Sequence, residues 1–144
     1  MNSPDNEPSA SVITWQDEMS VGVSEFDTHH KRIIALINKL QSSVARDDDG
    51  SITRDVLTEV SNYTLYHFFA EEDLMDKYGY PGAEAHKKEH LELTSKTLQL
   101  MNDAFRNRIN IGGAVLDFLI RWLKQHIMIT DKQYSAFFTG KGVS

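Results

Sequence analysis

Five histidines and a glutamate recur in this 144-residue sequence at spacings that could build a metal site. His67 and Glu71 stand at i, i+4, and so do His86 and His90. Residues four apart on a helix share a face and lie about one turn, roughly 6 Å, from each other. Two imidazoles in that relation can converge on one ion, and so can an imidazole and a carboxylate. His30 shares a helical face with Ile33 and Ile37, and His126 falls between Trp122 and Ile129 on another.

Either pair alone is a weak signal, because a single histidine in a core is more often satisfied by a hydrogen bond. The joint pattern is stronger. Six polar side chains on the buried stripes of four helices would leave many unpaired groups in the core. A shared metal centre removes that cost. The chain has no cysteine, so disulfides, thiolate zinc sites, iron–sulfur clusters and a cysteine nucleophile are excluded. Imidazole suits zinc, copper, iron and nickel. Five histidines plus carboxylate exceed the four ligands of a tetrahedral zinc site. A histidine-rich site for two metals is therefore expected, with iron as the metal.

Four helical patterns must position these residues. The first runs from about Asp27, read as an N-cap, to about Arg46, with Ile33, Ile37, Leu40 and Val44 on one face. Ser51 is read as the N-cap of a second, whose stripe is Val56, Val60, Tyr63, His67, Glu71, Leu74 and Tyr78. Gly79-Tyr80-Pro81-Gly82 stops it, with Gly just past the end and Pro beyond. The third spans about Ala83 to Arg106 with His86, His90, Leu93, Thr97 and Leu100. The fourth spans about Ala114 past Asp131 with Val115, Leu119, Trp122, His126 and Ile129. Short connections between long helices make antiparallel neighbours, so the expected fold is all-α: an up-down-up-down four-helix bundle. Residues 1–11 read as a disordered tail, 12–139 as the domain and 140–144 as a C-terminal tail.

Composition narrows the function. Hydrophobic residues make up 40% and charged residues 25%, an ordinary globular balance that suits one domain. A net charge of −6 without a basic cluster argues against nucleic acid or an anionic membrane surface as partner. No apolar run approaches the roughly 20 residues of a membrane span, and the polar N-terminus lacks a signal peptide's apolar stretch. A cytoplasmic location is expected by default. With no spare apolar face evident in the sequence, a monomer is the default as well.

The residues also resemble those of a known family, the hemerythrins, and in particular its bacterial single-domain members. Trp15 and the segment Phe26-Asp27-Thr28-His29-His30-Lys31-Arg32-Ile33 look like the family's opening tryptophan and D-x-x-H element. His67-Phe68-Phe69-Ala70-Glu71 looks like its H-x-x-x-E, and Tyr80-Pro81 with His86 and His90 like its Y-P and H-x-x-x-H. Trp122-Leu123-Lys124-Gln125-His126-Ile127 with Asp131 looks like its W-L-x-x-H-I-x-x-x-D. The similarity covers about Ile13 to Phe138.

The resemblance implies that His86, His90 and His126 bind one iron, and His30 and His67 the other. Glu71 and Asp131 would bridge the two Fe2+/Fe3+ ions together with an oxo or hydroxo group. Dioxygen would bind reversibly at the open position of the two-histidine iron, with Leu123 lining its pocket. Asp131 enters on this ground alone. Five residues after His126 it would lie about 140° round a regular helix, and reaching the centre needs an i→i+5 turn. His29 stands where the family often has Gln and points about 100° from His30, so it is expected to be exposed or behind the ligands. Glu72 is expected to be solvated.

Binding, rather than enzymatic turnover, fits the donor set. Di-iron oxidation enzymes on similar bundles use four Glu and two His in paired E-x-x-H motifs, which this site lacks. The sequence leaves two alternatives: a di-iron enzyme with peroxidase or nitric-oxide activity, and an oxygen or redox sensor acting through a separate protein partner.

Overall fold

The computed structural model describes residues 13–47, 49–107 and 110–144, and the expected N-terminal tail lies outside them. All regular structure among the described residues is helical. Helix α1 spans Ser24–Ser43, α2 Ser51–Tyr78 and α3 Ala83–Met101. A wider π-helical turn, Asn102–Arg106, prolongs α3 to the end expected from the sequence. Helix α4 covers Gly112–Trp122 and runs on through a π-helical stretch, Leu123–Thr130, and a tight turn, Asp131–Tyr134, into α5, Ser135–Gly140. Helix α2 packs against both α1 and α3, and α1 against α4. The bundle closes where Thr130 donates to Glu89 of α3 at 3.2 Å.

Helix α1 begins three residues before the expected N-cap. Asp27 sits inside its first turn, where its carboxylate accepts from the Val21 N–H at 2.9 Å and the Ser20 hydroxyl at 2.6 Å. It ties down the incoming segment instead of capping its own helix. Ser51 is likewise the first helical residue and not the cap. Gly50 precedes it at φ 74°, a left-handed conformation that only glycine adopts without cost. Buried Asp47 does the capping from further upstream, accepting from the N–H groups of Ile52 and Thr53 at 3.0 and 2.9 Å. The expected stop at Gly79 is present, at φ 70°.

The core divides in two. The larger part, around Ile33, Ile37, Leu40, Val56, Val60, Leu119 and Leu123, fills one end of the bundle. The smaller joins Val21, Val23, Phe26, Met75, Tyr134 and Phe138. Residues expected as a C-terminal tail turn back here: Val143 packs on the smaller core and its N–H bonds to the Phe138 carbonyl at 3.0 Å. Two expectations about surfaces are corrected. Ile129, placed on the inward stripe, is exposed because the π-helical stretch shifts the phase of the helix. A spare apolar face does exist, since Leu65 and Phe69 on α2 and Leu91 and Leu98 on α3 are exposed. No helix among the described residues is long and apolar enough to cross a membrane.

Candidate metal centre

Between the two cores, four helices turn polar side chains inward. Helix α1 supplies His30, α2 His67 and Glu71, and α3 His86 and His90; the π-helical stretch after α4 supplies His126, and the next residue beyond that stretch is Asp131. All seven are buried, and Glu71, Asp131 and His30 have no exposed surface. The i, i+4 pairs lie side by side as regular helices require. Asp131 arrives by the wide i→i+5 turns of Leu123–Thr130, which bring it onto the face of His126.

The donor atoms form two overlapping groups. Glu71, His86, His90, His126 and Asp131 make one, and His30, His67, Glu71 and Asp131 the other, each with its donor atoms within 4.8 Å of one another. Both carboxylates belong to both groups. Every imidazole presents Nε2 to them. His86 and His126 come within 2.9 and 3.1 Å of Asp131 Oδ1, and His30 within 3.0 Å of Oδ2. His67 and His90 each lie 3.2 Å from Glu71 Oε1.

Short distances here do not mean hydrogen bonds. Glu71 Oε1, both Asp131 oxygens and the Nε2 atoms of His86, His90 and His126 are buried with no hydrogen-bond partner among the described residues, although they lie close together. An unsatisfied buried polar group costs about 1–3 kcal/mol. Those six atoms would together rival the roughly 5–15 kcal/mol that stabilises a whole domain. Nitrogen and carboxylate oxygen donors converging in this way fit divalent metal, and two groups sharing two carboxylates fit a pair of ions.

Electrostatics of the protein alone point the same way. Burial disfavours charge on Glu71, but the charge of His67 and the close approach of the His67, His86 and His90 imidazoles outweigh it and hold the carboxyl well below its usual range. Burial and Glu71 oppose ionisation of Asp131, yet His126 and His30 keep it a carboxylate. Burial likewise opposes protonation of His86, and the two carboxylates override it, pushing its pKa up to about 10. His126 is raised for the same reasons. Two buried negative charges thus attract cations, protons or metal, into the same space.

Further residues lie behind the donors, and of these Tyr134 was not singled out from the sequence. The Tyr134 hydroxyl donates to Glu71 Oε2 at 2.5 Å, and burial with the nearby carboxylates pushes its pKa well up, so it remains a donor. Its spacing, three residues after Asp131, was the available signal. Glu72 is not simply solvated: its Oε2 lies 2.8 Å from His90 Nδ1. His29 is buried, with Nδ1 2.8 Å from His67 Nδ1; burial, then His67 and His30, lower its pKa to about 4. Phe68 stacks on His90 at 3.8 Å between ring centroids, and Leu123 and Ile127 are buried in the adjoining core.

Known proteins are similar to this chain over most of its length. Residues 21–138 match the family model described as the hemerythrin HHE cation binding domain. A bacteriohemerythrin of Stenotrophomonas maltophilia is 35% identical over 127 residues, covering 86% of this chain and 80% of the relative. One from Pseudomonas aeruginosa is 35% identical over 122 residues, covering 85% and 78%. A crystal structure of wild-type hemerythrin superposes with a TM-score of 0.79 at 30% identity, covering 88% of this chain and 97% of that one. With its helical bundle, its carboxylate-sharing donor groups and a family match over most of its length, the chain belongs to the hemerythrin family.

Proposed function

We propose that this chain binds dioxygen reversibly at two iron ions joined by an oxo or hydroxo bridge, as a carrier, store or sensor and not by turnover. His86, His90 and His126 hold one iron, His30 and His67 the other, and Glu71 and Asp131 span both. The observation that carries this reading is the inequality of the donor groups, five protein ligands against four. The two-histidine position is one protein ligand short, and an external molecule can occupy the gap. When bound, the ferrous pair supplies the electrons that make dioxygen a ligand.

The chain's own residues do the rest. Glu71 and Asp131 stay ionised and span both positions, and Tyr134 occupies the second Glu71 oxygen. With only two protein carboxylates, the site carries too little negative charge to favour high-valent iron, while neutral imidazoles favour the ferrous state. Phe68, Leu123 and Ile127 are buried around the imidazoles and limit the water and protons that promote irreversible oxidation.

Stopped-flow mixing of the reduced, iron-loaded protein with dioxygen tests this. A visible absorption band should form on mixing and vanish on degassing through repeated cycles. Loss of the reduced form after one cycle, or steady consumption of dioxygen with added reductant, overturns reversible binding.

A further inference from the structure

His29 is a buried imidazole at the centre that the ligand set does not use. It neighbours His30 on α1, yet the two side chains engage opposite edges of one ring. His30 Nε2 lies 3.2 Å from His67 Nε2, on the metal side, whereas His29 Nδ1 lies 2.8 Å from His67 Nδ1, on the outer side. The rings of His29 and His67 are perpendicular, with centroids 4.9 Å apart. Edge contacts with Tyr63 and Tyr66, at 5.7 and 5.2 Å between centroids, hold His29 from the solvent side.

Chemistry leaves one arrangement of protons. A neutral imidazole that gives its Nε2 lone pair to a metal carries its proton on Nδ1 and must donate there. The atom facing it at 2.8 Å must then be an acceptor, so His29 presents a bare Nδ1 and carries its own proton on Nε2. The three-histidine group has a matching contact of different charge, His90 Nδ1 to the Glu72 carboxylate at 2.8 Å. Among the described residues His126 Nδ1 has no such bond, with Glu89 at 3.8 Å, and His30 Nδ1 has no hydrogen-bond partner.

We propose that His29 is a positioning residue for the two-histidine half of the centre: it accepts the His67 Nδ1–H and so fixes His67 with Nε2 toward the metal. This rests on the two-metal reading above. Each half then has one imidazole anchored from behind, by an anion in the three-histidine half and by a neutral ring in the other. Loss of such an outer partner typically weakens metal binding about 10–100-fold. The effect of removing His29 should fall on one of the two metals.

Anaerobic ferrous titration of the full chain against a chromophoric chelator tests this in wild type, His29→Leu and His29→Gln. His29→Leu should weaken one of two sites about 10–100-fold and spare the other. His29→Gln, whose side-chain carbonyl can accept the same proton, should restore both. Unchanged affinities in His29→Leu, or an equal loss in His29→Gln, overturn the proposal. Should circular dichroism show His29→Leu unfolded, nitrogen-15 NMR of the zinc-loaded wild type decides: protons on His67 Nδ1 and His29 Nε2 support it, and a proton on His29 Nδ1 overturns it. A wild type that takes up no metal fails differently, by overturning the two-metal reading itself.

Discussion

His126 and Asp131 are five residues apart, yet Nε2 of one lies 3.1 Å from Oδ1 of the other. A regular helix would set them about 140° apart. The π-helical stretch Leu123–Thr130 closes that angle and delivers a carboxylate to both donor groups. Replacing Asp131 with Ala should reduce bound iron from two ions per chain to one or fewer while the helical content stays. Metal analysis beside circular dichroism checks this, and two ions retained would show that Asp131 is dispensable.

Glu71 Oε2 accepts a hydrogen bond from Tyr134. Tyr134→Phe removes the hydroxyl that donates to Glu71 Oε2 without changing the packing of the ring. Hydrogen bonds to charged groups are worth about 1.5–3 kcal/mol, and the metal-free variant should lose about that much. Urea denaturation measures it; a midpoint equal to the wild type's would contradict the role assigned to the hydroxyl.

Much of this donor cluster was legible in the sequence because polar side chains at i, i+4 interrupt apolar stripes, and helical geometry alone puts His67 beside Glu71 and His86 beside His90. The stop at Gly79 was legible for a similar reason, since one residue decides it. What escaped depends on contacts between distant elements. Asp47 caps α2 across an intervening turn, so the residue adjacent to the helix, Ser51, was the wrong place to look. Nothing in the composition of Leu123–Thr130 announces a wide turn, and without it Ile129 reads as buried and Asp131 as exposed. His29 points away from His30 around α1 but lands against α2, a contact that only packing reveals.

Acidity should act differently on the metal-free and loaded proteins. In the metal-free protein the His86 pKa is raised to about 10 by the two carboxylates, against burial. A raised pKa contributes stability that is full below the unfolded value of about 6.5 and is lost as pH rises through the folded value. Glu71 and Asp131 are depressed, and their contribution is lost only as pH falls through the acid range. Chelator-treated protein should therefore lose stability between about pH 7 and about pH 10. In the iron-loaded protein, metal replaces the His86 proton and the same range should be nearly flat. Urea midpoints at both ends of that range check this, and a level chelator-treated protein would refute it.

Leu123 is 3% exposed and sits one turn before His126. Leu123→Ala should cost about 2–5 kcal/mol in stability through the cavity it leaves. It should also admit water to the imidazoles and speed irreversible oxidation of the dioxygen-treated protein. Thermal melts and the decay of the dioxygen-dependent band measure the two effects. A destabilised variant with an unchanged decay would confine Leu123 to packing.

Iron bound per folded chain bears most directly on the centre. After reconstitution with ferrous iron and removal of excess, the wild type should hold two ions, and a variant with His86 and His90 both changed to Ala no more than one. A wild type without stoichiometric iron, or a double variant that holds as much as the wild type, would contradict the assignment of this cluster as a di-iron site.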